Sequence, residues 1–165
     1  MNLGENRVTT VVSVTSISGP AGPVFDLITS ACFWPEWHPA TRSVSGVTQR
    51  PYQLGDMIHE RVHFAGLEIV VTWRVAEHAR PYRVVLQALT SPARITYSME
   101  PKGDAMAFRR ELEYDEGLLR QAVPGAGDWG RLMKEQSEEG VRRLKELVER
   151  ILRDEQAAAP EVAQS

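Results

Sequence analysis

Cysteine is nearly absent. The single Cys32 can form neither an intramolecular disulfide nor a cysteine-cluster metal site. No stretch approaches the ~18 consecutive apolar residues of a membrane-spanning helix, and the polar opening MNLGENR lacks the apolar core of a signal peptide. No membrane insertion is therefore expected, and the expected compartment is the cytoplasm. Positive charge is not in excess: 19 Lys and Arg against 22 Asp and Glu leave a net charge of −3. That excludes a generally basic nucleic-acid binder, and the basic residues do not interleave with aromatics as on a single-strand-binding surface, so no nucleic-acid partner is expected. A glycine-rich phosphate loop is missing too, because Gly125 and Gly127 lack both the lysine and the strand context. No metal and no cofactor are expected. Internal repeats and interdomain linkers are also lacking, so the 165 residues read as one domain.

What is present is ordinary for a globule: 42% hydrophobic and 25% charged residues, in a chain long enough to bury roughly 70% of its unfolded surface. Val8 to Ile17 is almost wholly β-branched residues and Ser, which suits a strand. After Gly19-Pro20, the segment from Ala21 reads as a short helix with Pro23 in its first turn and Val24, Leu27 and Ile28 on one face. A second short helix or turn holds Trp34 to Pro39, limited by its two prolines. From Ala40 the period changes to two, predicting strands near 41–49, 56–64, 67–77, 82–89, 93–100 and 105–115, joined by links short enough for an antiparallel meander. Residues 118–127 read as a loop with at most one turn. Asp128 then caps a long helix over about 129–154. Residues 1–7 are expected to be flexible, 8–154 to form the domain, and 155–165 to be a disordered tail. One seven-stranded sheet covered by one long helix is an α+β layer structure.

The apolar stripe of that helix (Trp129, Leu132, Met133, then Val141, Leu144, Leu147, Val148, Ile151) has a gap. At the gap the inward positions are Gln136, Ser137 and Gly140, polar or small where tight packing would want Leu or Ile. A sheet curving away from the helix there leaves a cavity, the usual setting for a ligand site.

Strand alternation names what would line it. With Ala65-Gly66 as a turn, Ile58, Glu60, Val62, Phe64, Ile69, Val71 and Trp73 share the inner face, and His59, Arg61, His63, Thr72 and Arg74 the outer one. Tyr97 and Met99 point inward on the next strand but one, and Phe108, Arg110 and Tyr114 on the last. Glu60 and Arg110 are thus charges on an apolar face. Each needs a partner, water or a function, and the two could pair with each other, sit at strand ends, or be turned outward by a bulge. Placed as acid, base or orienting groups, Glu60, Arg110, Tyr97 and His38 are the candidate catalytic residues. Trp34, Trp37, Phe64 and Trp73 are candidate ligand contacts from the first half of the chain, and Phe108, Met133, Gln136 and Gly140 from the second. His59 and His63 lie about 13 Å apart on one strand and cannot chelate one metal. Cys32 is expected to be a buried, inert thiol.

The segment PAGPVFDLITSACFWPEWHPATRSVSG, with Pro20, Pro23, Val24, Phe25 and Asp26 and then Trp34, Pro35, Trp37, His38 and Pro39, resembles the START/Bet v 1-like (SRPBCC) superfamily, in particular its polyketide cyclase/dehydrase-type branch. The run LEIVVTWRVAEHARPYRVVL is similar to that group's strand, E-x-x-x-P-x-R, strand pattern through Glu77, Pro81 and Arg83. The resemblance covers roughly residues 8–153. It implies a helix-grip fold: a curved seven-stranded antiparallel sheet around a long C-terminal helix, with two short helices after the first strand and a deep cavity. It implies a hydrophobic, ring-containing small-molecule partner, with polyketide cyclase/dehydratase-like chemistry as the specific expectation. The alternatives are a non-catalytic lipid or metabolite carrier or sensor, and a partner-binding module of the chaperone-cofactor type. A monomer or homodimer is expected. In aromatic cyclases an inward Arg follows the hairpin; Arg74 matches it loosely, but alternation turns Arg74 outward.

Overall fold

A computed structural model describes residues 8–123, 125 and 127–158. The flexible start expected at 1–7, the tail from 159 and loop positions 124 and 126 lie outside the described residues. Strand β1 (Val8–Ser18) keeps strict period two, burying Val11, Ser13 and Ile17 and exposing Val8, Val12 and Val14. Helix α1 (Ala21–Ile28) buries Val24, Phe25 and Ile28. Gly22 leaves room beside it for Arg80, whose Nη2 would lie 2.6 Å from any Cβ there; Arg80 donates to the Asp26 carboxylate at 2.8 and 2.9 Å. A 3-10 turn (Ala31–Phe33) leads into α2 (Trp34–Trp37), which has Pro35 in its first turn and buries both tryptophans.

The meander follows as β2 (Thr41–Gly46), β3 (Met57–Phe64), β4 (Leu67–Ala79), β5 (Arg83–Ala88), β6 (Arg94–Lys102) and β7 (Ala105–Asp115). Sheet order is β1-β7-β6-β5-β4-β3-β2, and every neighbouring pair is antiparallel. The returning meander thus sets its last strand beside the first. Glu77 and Arg83 pair with each other across the β4–β5 turn at 2.9 Å, which gives the E-x-x-x-P-x-R pattern a structural role at the surface.

Two helices depart from expectation. Helix α3 (Glu116–Ala122) stands where at most one turn was expected; Asp115 caps it by accepting from the Leu118 amide at 3.3 Å, and it buries no residue. Helix α4 (Trp129–Ala158) runs past the expected end at 154, no glycine or proline intervening before Pro160.

Helix α4 grips the sheet at two places. Its later turns place Val141, Leu144, Leu147 and Val148 in the main core with Ile17, Phe25 and the inner faces of β5 to β7. Its first residue, Trp129, joins Phe64 and Ala40 in a second cluster, the two rings 5.0 Å apart. Between the grips, Met133 and Gln136 face open space. The fold is the helix-grip α+β architecture.

Candidate functional site

That space is a cavity of about 240 Å³ between the inner face of the sheet and the first half of α4. Its walls are apolar: Val62, Ile69, Val71, Ile95, Leu112 and Met133. Exposed Ser91, Pro92 and Leu118, on the β5–β6 link and α3, mark the mouth. Small-molecule sites span ~300–1,000 Å³, so the volume suits a compact ligand and exceeds by several-fold the ~30 Å³ of a water.

Two polar groups break the apolar lining. The first is built on Glu60, 6% exposed on β3. Its Oε1 accepts the indole N–H of Trp73 at 3.0 Å, and its Oε2 accepts the hydroxyl of Thr41 in a short hydrogen bond. Nδ1 of His38 lies 2.8 Å from the same Thr41 oxygen. The hydroxyl has one proton and gives it to Glu60, so it accepts from His38. This places the imidazole proton on Nδ1 and leaves Nε2 with a free lone pair. Burial first, and the charge of Arg110 second, lower the His38 pKa to about 3. The ring is therefore neutral at physiological pH, and the 3.9 Å between His38 Nδ1 and Glu60 Oε2 is a spacing across Thr41, not an ion pair.

The second group is Arg110, 3% exposed on β7. Its Nη1 donates to Ser137 Oγ on α4 at 3.0 Å, and Ser13 Oγ on β1 donates to the same oxygen at 2.6 Å. Its Nε is buried with no partner. Tyr97 faces Arg110 in the β6–β7 register. Burial raises the Tyr97 pKa, Arg110 opposes that shift, and Glu60 adds to it, so the phenol keeps its proton. Tyr97 lies 6.4 Å from the ring of Trp37, which in turn lies 5.9 Å from that of His38.

The four candidate catalytic residues, Glu60, Arg110, Tyr97 and His38, all line the cavity. So do Trp34, Trp37, Phe64, Trp73, Met133 and Gln136. Two expected ligand contacts do not. Phe108 lies one pleat beyond Arg110, fully buried in the core, its ring tilted against that of Tyr97 at 5.6 Å. Gly140 faces α2 instead of the cavity, a Cβ there meeting Pro39 Cδ at 3.5 Å and Trp37 at 3.6 Å. Glu60 and Arg110 form no direct ion pair; each is held by neutral donors or acceptors. Cys32, expected to be buried, is exposed, because Ala31 takes the inward position of the 3-10 turn. His59 and Arg74 are exposed and point away from the site.

Thr41 and Ser13 were not singled out from the sequence. A register shift between Thr41 and Ser43 turns Thr41 inward, only three residues from half-buried Val44, so a period-two reading passes over it. A legible signal did exist. Pro39 is the second residue of a turn closed by the Thr41 amide on the His38 carbonyl at 3.1 Å, and such a turn brings residues 38 and 41 together. Among the described residues, no three His, Cys, Asp or Glu side chains cluster as metal ligands would, and no helix is long and apolar enough to cross a membrane.

No curated protein sequence matches the chain. Its fold is similar to that of Zhui aromatase/cyclase from Streptomyces sp. R1128, with a TM-score of 0.70 at 14% identity over 93% of this chain and 100% of that one. It is similar also to major latex-like protein 151 from Panax ginseng, with a TM-score of 0.62 at 11% identity over 85% and 97%. A third likeness is to the Aha1 dimer of Colwellia psychrerythraea, with a TM-score of 0.61 at 14% identity over 86% and 96%. At these identities the likeness is one of fold. A family model described as polyketide cyclase / dehydrase and lipid transport matches residues 8–149, from β1 through the gripping turns of α4. With its sheet, its two short helices and its cavity all inside that match, the chain belongs to the polyketide cyclase/dehydrase and lipid transport family.

Proposed function

We propose that the protein binds a compact, ring-containing hydrophobic molecule in this cavity and acts as a cyclase or dehydratase on a carbonyl-bearing, polyketide-like substrate. The observation that carries the reading is the relay of Glu60, Thr41 and His38 inside an otherwise apolar chamber. In such a reaction a base takes a proton from a carbon beside a carbonyl. The resulting enolate attacks a second carbonyl and the new alkoxide takes that proton back; the base then removes a second proton from the same carbon and delivers it to the hydroxyl, which leaves as water as the C=C bond forms. His38 Nε2 is the base; it is a weak one in the empty cavity, where burial and the charge of Arg110 hold its pKa to about 3, and it is strengthened when the enolate's negative charge develops beside it, while Glu60 acts through Thr41 to hold the tautomer and to balance the imidazolium that forms. Tyr97, a protonated phenol, and Arg110 are donors to ligand oxygens. The apolar walls fold the chain and exclude water.

The test is Glu60→Gln, assayed on a synthetic poly-β-ketoacyl thioester whose cyclisation is followed by ultraviolet absorbance. Wild-type protein is expected to accelerate cyclisation. The variant is expected to keep its fold and its affinity for aromatic probes while losing about 10²–10⁴ in rate. A variant that loses stability and keeps its rate makes Glu60 structural. A second reading, non-catalytic carriage of the ligand, is favoured by the fact that both Glu60 oxygens already have donors; it stands if wild-type protein binds ring compounds and accelerates nothing.

A further inference from the structure

We propose that Arg110 holds the ligand's carboxylate: the molecule this cavity takes is a ring-bearing carboxylic acid, bound as its anion with the charged end deep and the rings toward the mouth. This rests on the reading of the cavity as a ligand site and names the class of ligand.

The argument begins with charge. A guanidinium stays protonated whatever surrounds it, and at 3% exposure Arg110 has lost almost all its water. Such a charge costs several kcal/mol unless an opposite charge faces it. Among the described residues, no carboxylate comes within 4.0 Å of it, its hydrogen-bond partners are the neutral hydroxyls of Ser137 and Tyr97, and its Nε has none. The other buried charge, Glu60, has both oxygens engaged by Thr41 and Trp73 and makes no direct contact with Arg110. A water or a ketone oxygen would satisfy a hydrogen bond but not the charge. A carboxylate satisfies both, because its two oxygens match adjacent guanidinium N–H groups.

Other features agree. The charge of Arg110 reaches across the site, depressing the pKa of His38 and opposing the rise at Tyr97. Along β6 and β7, Tyr97 and Arg110 stand four residues in from Ala93 and Tyr114, roughly 13 Å from the mouth end of each strand. Ile95 and Leu112 lie between, and they cover an apolar ring system.

Calorimetric titration at pH 7.5 with 2-naphthoate and with 2-acetylnaphthalene, which has the same rings and no charge, tests the proposal. Wild-type protein is expected to bind naphthoate at least about tenfold more tightly. Arg110→Met removes the charge, keeps an apolar stem, and is expected to abolish that preference, leaving the two compounds within about threefold of each other. Equal or tighter binding of 2-acetylnaphthalene to wild type overturns the proposal, as does a preference that survives Arg110→Met. Should the variant not fold, methyl 2-naphthoate against wild type decides: weak ester binding supports the carboxylate, and ester binding as tight as naphthoate overturns it. Binding of neither ring compound removes the cavity reading and the proposal with it, whereas tight binding of the neutral compound removes the proposal alone.

Discussion

His38 is kept neutral by its surroundings, and the fold loses stability when it is protonated. Thr41 and Glu60 face it on one side, and Arg110 and Tyr97 share its cavity on the other. Its pKa falls to about 3 in the fold and lies near 6.5 in the unfolded chain. Between those values the unfolded state binds a proton that the native state excludes. This contribution to stability is therefore fully present above about pH 6.5 and is lost as the pH falls toward 3, by up to about 1.4 kcal/mol per unit. Urea unfolding should show stability falling between pH 6.5 and 5, and His38→Gln should flatten that slope. The surface carboxylates Asp56 and Glu139 are held low by Arg50 and by Arg142 with Arg143, so their contributions are lost only as the pH falls below the ordinary carboxylate range near 4. A slope between pH 6.5 and 5 unchanged by His38→Gln would refute the assignment. At this scale Glu60 and Arg110 were legible, because a charge on an inward strand position violates a strict alternation. Thr41 and Ser13 were not: a polar residue in a strand carries no charge to betray it, and the irregular register at β2 hides which way Thr41 turns.

Among the elements, the strands were the easiest to read, since β1, β3 and β7 keep their period and the links are short. β1 and β7 fall within one residue of the expected limits. The harder parts were those where a cap or a packing partner decides. α3 depends on Asp115, and Gly140 was read as a break in the apolar stripe over the cavity, whereas it stands against Trp37 and Pro39. The space there is not fully used, because a Cβ would make ordinary contacts of 3.5 to 3.7 Å. Glycine inside a helix costs up to ~1 kcal/mol relative to alanine. Gly140→Ala is therefore expected to stabilise the protein by about 0.5–1 kcal/mol in chemical unfolding and to leave cavity binding unchanged, since residue 140 does not line the cavity. A loss of stability would mean that the space between Gly140 and Trp37 does not take a methyl, and a loss of binding would put Gly140 back at the cavity.

The whole molecule has two unequal halves along α4. The later turns are locked into the main core, while the earlier ones stand off the sheet over a cavity closed by the Phe64–Trp129 contact. The unliganded fold thus carries two costs in one place, unfilled apolar volume and a buried charge without a counter-charge. A fitting ligand relieves both, and because it binds only the folded state its free energy adds to folding. At a free ligand concentration of 100 times Kd, stability should rise by about 2.7 kcal/mol. For a domain of this size each kcal/mol moves Tm by about 2–4 °C, so 2-naphthoate should raise Tm by about 5–10 °C. The transition should remain single, because one continuous core joins the sheet to the gripping turns of α4. The same titration should quench tryptophan emission, since Trp34, Trp37 and Trp73 line the cavity. The two readings check each other. Quenching with no shift in Tm would place the probe on the surface of the unfolded as well as the folded chain, and a shift with no quenching would place it away from the three tryptophans. Only the two together, both saturating at the same ligand concentration, put an apolar acid in the chamber between the sheet and the first turns of α4.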